Sequence, residues 1–459
     1  MKFRIPNSYV LLFGIIVILG FLSYIIPAGR YQRQLDPEMG FEYVVADSYV
    51  EIDRTPVTLF DLFKAIPAGM MDASDIIIFV LIAGGSFGII QATGTVNYGI
   101  ASVVKRFSGK EKKVIILVMV ILSLAGAIFG TAEEALVLYP MLISLSIALG
   151  FDRMTGVAMG LLGTGSGFVA GFLNPFTTGV AQQIVELPLF SGIVFRMLAY
   201  ILFVSTSIFF VLRHARKSNA DNDALTEHEQ GFIFDYGFQD MPPLSRKHKR
   251  VLFILGLLFF YLIYGILKKQ FYILEIATTF FIMGVVSGLA GGIKSGRLVT
   301  EFIKGASSMV YGALIIGVAK GVTVIMTYGN IMDTIIFQLS KIVVGLSPIF
   351  SAISMFLIQS VFNIFITSGS GQAAVTMPIM KALADLSDLS RQTAVLAFQF
   401  GDGFSNVISP TSGYFMAALA IGGVEWKKWI KWAWPLFVTW YVEGIFLLVV
   451  AVVSCYGPF

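Results

Sequence analysis

Cysteine is nearly absent. Cys455 is the one cysteine among 459 residues, so neither an intrachain disulfide nor a cysteine-built metal cluster can form. Charge is scarce as well: 13% of residues are charged, where a soluble globular chain carries about a quarter. Histidine is confined to His214, His228 and His248, all within the hydrophilic stretch 214–250. No histidine falls inside an apolar run, which excludes a Ser–His nucleophile pair at membrane depth. The chain also has no G-x-x-x-x-G-K-[ST] match and no hydrophilic segment large enough for a nucleotide-binding domain, which excludes a primary pump. The net charge of +4 arises mainly from basic residues in short loops beside apolar runs, so it speaks to membrane orientation and not to a nucleic-acid partner.

Apolar sequence is abundant. Hydrophobic residues make up 56% of the chain and mean hydropathy is +0.82. Runs able to cross about 30 Å of hydrocarbon recur many times, whereas the short alternating segments of a membrane β-barrel are missing. The expectation is an all-α polytopic protein of the inner (cytoplasmic) cell membrane, with the lipid bilayer as its surroundings. The first run, 8–28, is too long for a signal-peptide core and predicts a retained first span over about 10–24. An acidic, polar segment (30–60) follows, then an interfacial amphipathic helix over 59–67. Further spans are predicted at 75–93, 191–212, 251–267 and 271–292. A basic amphipathic piece (297–304) precedes a span at 306–326 and a semi-polar helix at 330–344. The Trp- and Lys-rich stretch 425–432 reads as an interface anchor before a last span at 433–455. The basic segments (the N-terminus, 105–113, 213–217, 246–250, 294–304 and 427–431) predict cytoplasmic loops, with the acidic segment and the C-terminus outside.

Two polar stretches interrupt this pattern. Phe129-Gly-Thr-Ala-Glu133-Glu134-Ala135 forms the tip of a hairpin over 113–149. A single ionised carboxylate at membrane depth costs about 2.5–3.5 kcal/mol on insertion scales, so two in succession predict a surface facing protein or water. Their adjacency also disfavours ionising both together. Phe365-Ile-Thr-Ser368-Gly-Ser370-Gly-Gln372 repeats the layout inside a second hairpin, 347–386. Asn174-Pro175 and Ser409-Pro410 break the apolar runs 154–185 and 391–422. Arg153-Met-Thr-Gly-Val157 and Arg391-Gln-Thr-Ala-Val395, Pro140 and Pro378, and Gly165-Ser-Gly-Phe168 and Gly401-Asp-Gly-Phe404 match in order, at offsets of 235 to 238 residues. Together with the charge pattern they predict two inverted repeats: residues 1–213, a cytoplasmic linker 214–250, and 251–459 comprising a connecting helix and the second repeat. Inverted repeats with helices broken near the midplane are characteristic of secondary transporters.

The polar residues at the breaks make the candidate substrate site. They are Thr131, Glu133 and Glu134 at the first tip, and Asn174, Thr177 and Thr178 at the first break. Ser368, Ser370 and Gln372 belong to the second tip. Asp402, Ser405, Asn406, Ser409, Thr411 and Ser412 belong to the second break. Lys320 is the candidate charge-compensating cation. Half-helix N-termini suit a substrate carboxylate, and hydroxyls with freed carbonyls suit Na⁺ or an ammonium group. No metal centre or cofactor is expected beyond a coupling Na⁺ or H⁺. Three acids against one lysine fit an α-amino acid with a cationic side chain. Other readings stay open: Ser and Thr as close-packing residues, the glutamates as internally paired or neutral acids, Asp402 as a loop residue, Lys320 as a snorkelling side chain, and a channel in place of a carrier.

The Gly-Thr-Ala-Glu-Glu134 tip, the Gly-Phe-Leu-Asn174-Pro-Phe-Thr177 run, Ser368-Gly-Ser-Gly-Gln372 and Ser409-Pro-Thr-Ser-Gly413 resemble the YfcC-like branch of the four-carbon dicarboxylate anaerobic carrier (DcuC) family, over essentially the whole chain. The resemblance implies membership of the ion-transporter superfamily and no enzymatic activity. It further implies re-entrant hairpins and broken helices in a transport domain that moves elevator-fashion against a scaffold, and a homodimer. Related members carry Ser-Asn-Thr at both tips; this chain has Thr131-Ala-Glu133 and Ser368-Gly-Ser370, so their sodium sites do not carry over. The implied function is secondary active transport of a small charged metabolite. A cationic amino acid of arginine or ornithine type, moved by exchange or ion coupling, is the first reading. A four-carbon dicarboxylate or other organic anion coupled to Na⁺ or H⁺ is the alternative.

Overall fold

The computed structural model describes residues 8–35, 42–216, 243–269, 271 and 273–457. The chain is all-α apart from two short ladders, and among the described residues nine helical segments are long and apolar enough to cross a bilayer. In chain order the helices are α1 (Ser8–Leu22), α2 (Leu59–Asp72), α3 (Ser74–Ala92), α4 (Thr95–Arg106), α5 (Glu111–Phe129), α6 (Tyr139–Ala148), α7 (Arg153–Ala170), α8 (Val180–Ile184) and α9 (Ile193–Ala215). After residues 217–242 come α10 (Arg246–Lys269), α11 (Ile273–Ala290), α12 (Ser295–Tyr328), α13 (Met332–Ser340), α14 (Pro348–Phe365), α15 (Gly369–Leu386), α16 (Arg391–Asn406), α17 (Gly413–Ile421) and α18 (Trp426–Val453).

The described residues of the acidic segment form two short ladders. Strands β1 (Gly29–Arg30) and β4 (Val50–Glu51) pair antiparallel, as do β2 (Arg33–Leu35) and β3 (Glu42–Val44). The ladders are tied to α13 through buried Asp333, which accepts from the Tyr31 amide and the Arg33 guanidinium at 2.9 Å each. The expected amphipathic piece and span at 297–326 are one continuous 34-residue helix, α12. Gly305 does not break it, because that glycine is a contact point: a Cβ there would press on the backbone of Gly84 and Gly88 in α3. Close approach through small residues is how membrane helices pack without a hydrophobic driving force. The predicted interfacial helix, α2, also seats on α12, with Gly69 against the backbone of Gly317 and Gly321. Its start is fixed by a capping box between Thr58 and Asp61.

The hairpins and broken helices pack closely among themselves, and α17 packs on α12 as well. Here α5 crosses α7 where Gly126 meets the Thr164 carbonyl and Gly167 meets the Ser123 carbonyl. The α7 and α16 helices begin alike: Asp152 accepts from the Thr155 amide and Ser390 from the Thr393 amide. Two histidines expected to be solvated loop residues are not. His214 lies in α9, with Nε2 3.0 Å from Asp152 Oδ2. Burial opposes ionisation of Asp152, but hydrogen bonds from His214 and Thr155 outweigh it and hold the carboxyl below its ordinary range. His248 lies in α10 and packs on the Tyr98 ring at 4.1 Å between centroids. His228 lies outside the described residues.

The α5–α7 crossing has no room for a methyl group. Gly167→Ala is expected to lower stability by about 1–3 kcal/mol or more, read as a fall in the thermal midpoint of the purified protein. Gly99→Ala in α4, where a Cβ meets nothing within 4 Å, is expected to be neutral or slightly stabilising.

Candidate functional site

The first tip is set by Gly130. It ends α5 in the left-handed region at φ +64°, and a Cβ there would lie 2.6 Å from Asn174 Oδ1. A six-residue 3₁₀ turn (Glu133–Leu138) follows before α6. Both glutamates open this turn, where an acidic side chain complements free amides, and Glu134 Oε2 accepts from the Ala132 amide at 3.2 Å. The first break follows Gly171. Asn174 caps a π turn (Pro175–Gly179), its Oδ1 accepting from the amides of Phe176 and Thr177 at 2.9 and 3.2 Å. The Leu173 amide donates to the Ala127 carbonyl of α5, binding break to hairpin.

The second tip is Thr367 to Ser370. Ser368 caps α15, and Thr323 of α12 donates to the Phe365 carbonyl at 2.9 Å. At the second break the carbonyls freed at the end of α16 find indole donors: Trp429 Nε1 to Val407 O and Trp426 Nε1 to Ile408 O, each at 3.0 Å. The Trp/Lys stretch therefore does more than anchor at an interface. Trp429 is fully buried, while Lys427 and Lys428 remain exposed.

The two tips and two breaks meet at a cavity of about 260 Å³. Of the residues expected at the site, Thr131, Glu133, Glu134, Thr177, Ser368, Ser370, Asn406, Thr411, Ser412 and Lys320 line it. The others lie behind the wall. Asn174 spends its oxygen on the π turn. Thr178 donates to Gln399 Oε1 at 3.0 Å. Gln372 donates to Gln359 between the arms of the second hairpin at 2.7 Å. Ser405 holds Asn363 and the Gly401 carbonyl. Ser409 bonds the Thr411 hydroxyl at 2.6 Å. Asp402 is fully buried in α16 and takes one bond from Asn406 Nδ2 at 3.1 Å. These six do not line the cavity: each is enclosed by its own helix or its neighbours.

The opposite wall comes from α2, α3 and α12, and holds two acids that the apolar pattern did not single out, Asp72 and Asp75. Their i, i+3 spacing at the junction of two helices was the available signal. Lys320 pairs with Asp72 at 3.2 Å. Both partners are partly exposed, and such a pair contributes about 0–1 kcal/mol, so it opens at little cost. Tyr414 and Thr367 complete the polar lining.

A polytopic helical protein with interrupted helices around a charged cavity is a membrane transporter, not an enzyme, and the relatives agree. The chain belongs to the DcuC family, C4-dicarboxylate anaerobic carriers, whose model matches residues 5–453. It is 31% identical, over 94% of this chain and 93% of the relative, to a protein of Escherichia coli (strain K12) named "Putative basic amino acid antiporter YfcC". An uncharacterized protein of Haemophilus influenzae is 25% identical over 98% of this chain and 97% of its own length. Among solved structures, the YdaH transporter of Alcanivorax borkumensis aligns over 99% of both chains with a TM-score of 0.46 and 16% identity.

Trp429→Phe removes the indole donor together with half of the bicyclic ring at a fully buried site. It is expected to leave the Val407 carbonyl unsatisfied at a cost of about 1–3 kcal/mol, seen as a lowered thermal midpoint. Trp434→Phe, at a side chain 57% exposed, is expected to change it little.

Proposed function

We propose that this carrier exchanges cationic amino acids of the arginine and ornithine type by alternating access. One observation carries the reading: four carboxyl side chains (Asp72, Asp75, Glu133 and Glu134) face the cavity against one ammonium, Lys320, which Asp72 already engages. A site so lined concentrates cations and repels dianions. The cavity, below the roughly 300–1,000 Å³ of drug-sized sites, suits one small metabolite. The α17 N-terminal end beside it, which no side chain caps, offers amide dipoles to the substrate α-carboxylate, while Glu133 and Glu134 take the amines. The name of the Escherichia coli relative supports the same chemistry. The dicarboxylate in the family description would need free cations here.

Alternating access is read from the paired hairpins and breaks. They form two inverted repeats, with the basic loops in the cytoplasm, and the tips move elevator-fashion past the α2–α3–α12 wall in each protomer of a homodimer. The π turn, α16 and the tips form the moving body.

Counterflow of labelled arginine in proteoliposomes loaded with ornithine tests the reading. Uptake is expected to saturate and to need internal amino acid, and Glu133→Gln and Glu134→Gln are each expected to cut it about tenfold or more, the scale of a lost charged hydrogen bond. Preference for succinate, unchanged in both variants, would overturn it.

A further inference from the structure

Asp402 is a charge-bearing group that the substrate cannot reach. It lies one layer behind the cavity, fully buried in α16. Oδ1 accepts from Asn406 Nδ2, while Oδ2 has no partner at all. Its main-chain carbonyl is held by Asn363 Nδ2 of α14 at 2.8 Å. The Oδ2 edge points at the seam between the second tip and the first break: a Cβ on Gly369 would lie 3.1 Å from it and 2.5 Å from the Thr177 methyl. The Thr177 hydroxyl at that seam is also buried and unpartnered. Glu133 of the first tip is the titratable group whose charge acts on Asp402, and the Asp402 charge acts in turn on Tyr414 of α17. The α14, α15 and π-turn elements present Asn363, Gly369 and Thr177. Among the described residues no lysine, arginine or histidine acts on it, and no titratable group of α7, α8 or α18 does so.

A carboxylate in this setting keeps one oxygen unsatisfied and a charge buried without a counter-ion, a combination that strongly disfavours the ionised form. A proton on Oδ2 removes the charge and supplies a donor for an acceptor at the seam. We propose that Asp402 carries the coupling proton of this transporter, at a site separate from the substrate cavity and covered by the second tip at Gly369. The O–H bond forms at Oδ2 when the site opens to one side of the membrane. It breaks when the site opens to the other, the proton leaving to water while the cationic substrate moves the opposite way on Glu133 and Glu134. The inference rests on the transport reading above and divides its labour: the tip glutamates hold substrate, and Asp402 holds the proton. Gly369 lies against the carboxyl with room for no side chain, so movement of the second tip uncovers Oδ2.

The test compares two modes in one proteoliposome preparation, arginine counterflow at equal pH and arginine accumulation driven by an imposed pH gradient. In Asp402→Asn, gradient-driven accumulation is expected to fall about tenfold or more, within the usual range of coupling, with counterflow kept and its pH dependence flattened. Gradient-driven accumulation at the wild-type level overturns the proposal. So does loss of both modes in a variant that elutes and melts like wild type, because Asp402 would then serve substrate transport itself. Loss of a sodium-gradient response with the pH response intact also overturns it. If Asp402→Asn fails to fold, Asp402→Glu replaces it: a displaced pH midpoint of gradient-driven uptake supports the assignment, and an unmoved midpoint overturns it. If wild type transports succinate and not arginine, the substrate reading fails, and the same comparison run with succinate still decides the role of Asp402.

Discussion

Backbone that leaves the helix inside a bilayer must find partners within the protein, because no water is there to take the freed amides and carbonyls. In this molecule three of the four interruptions are answered by a group from another element. The carbonyls after α16 receive indole protons from Trp426 and Trp429. The strand of chain after α7 is tied to α5 through the Leu173 amide, and the π turn is capped by Asn174. The second tip is held from α12 by Thr323. The cavity exists because these braced ends converge without filling the space between them.

Carboxyl groups occupy three environments around that cavity, and the environments divide their possible work. Asp72 and Asp75 sit on the exposed wall, where water screens charge and a lysine pair forms and opens cheaply. Glu133 and Glu134 are half-buried at the head of a 3₁₀ turn, within reach of a ligand and partly compensated by free amides. Asp402 is enclosed, with one oxygen unanswered. Moving inward, the cost of carrying a charge rises, and so does the dependence of that charge on a partner that comes and goes.

Much of the layout was legible before the structure. Glycine, proline and paired polar residues punctuate the apolar runs, and both tips and both breaks fall where Gly130, Asn174-Pro175, Ser368 and Ser409-Pro410 put them. What one dimension could not show was direction. Asn174, Thr178, Gln372 and Ser405 are polar like Thr131 and Ser370, yet the fold points them at neighbouring backbone and side chains. Asp72 and Asp75 were hidden for the opposite reason: they lie at the edge of a span, where acids look ordinary, and only the packing of α3 on α12 brings them opposite the tips. Trp426 and Trp429 read as interfacial because indole suits interfaces; their donors answer carbonyls about twenty residues earlier, a pairing that no local pattern encodes.

The length of α12 has a mechanical consequence. At 34 residues it is about 51 Å long, against roughly 30 Å of hydrocarbon, so it crosses the membrane at a slant or stands proud of it. It carries Lys320 on the cavity wall and grips the second tip through Thr323. One continuous helix of this length thus ties the cavity wall to the second tip, so a change in its tilt acts on both at once.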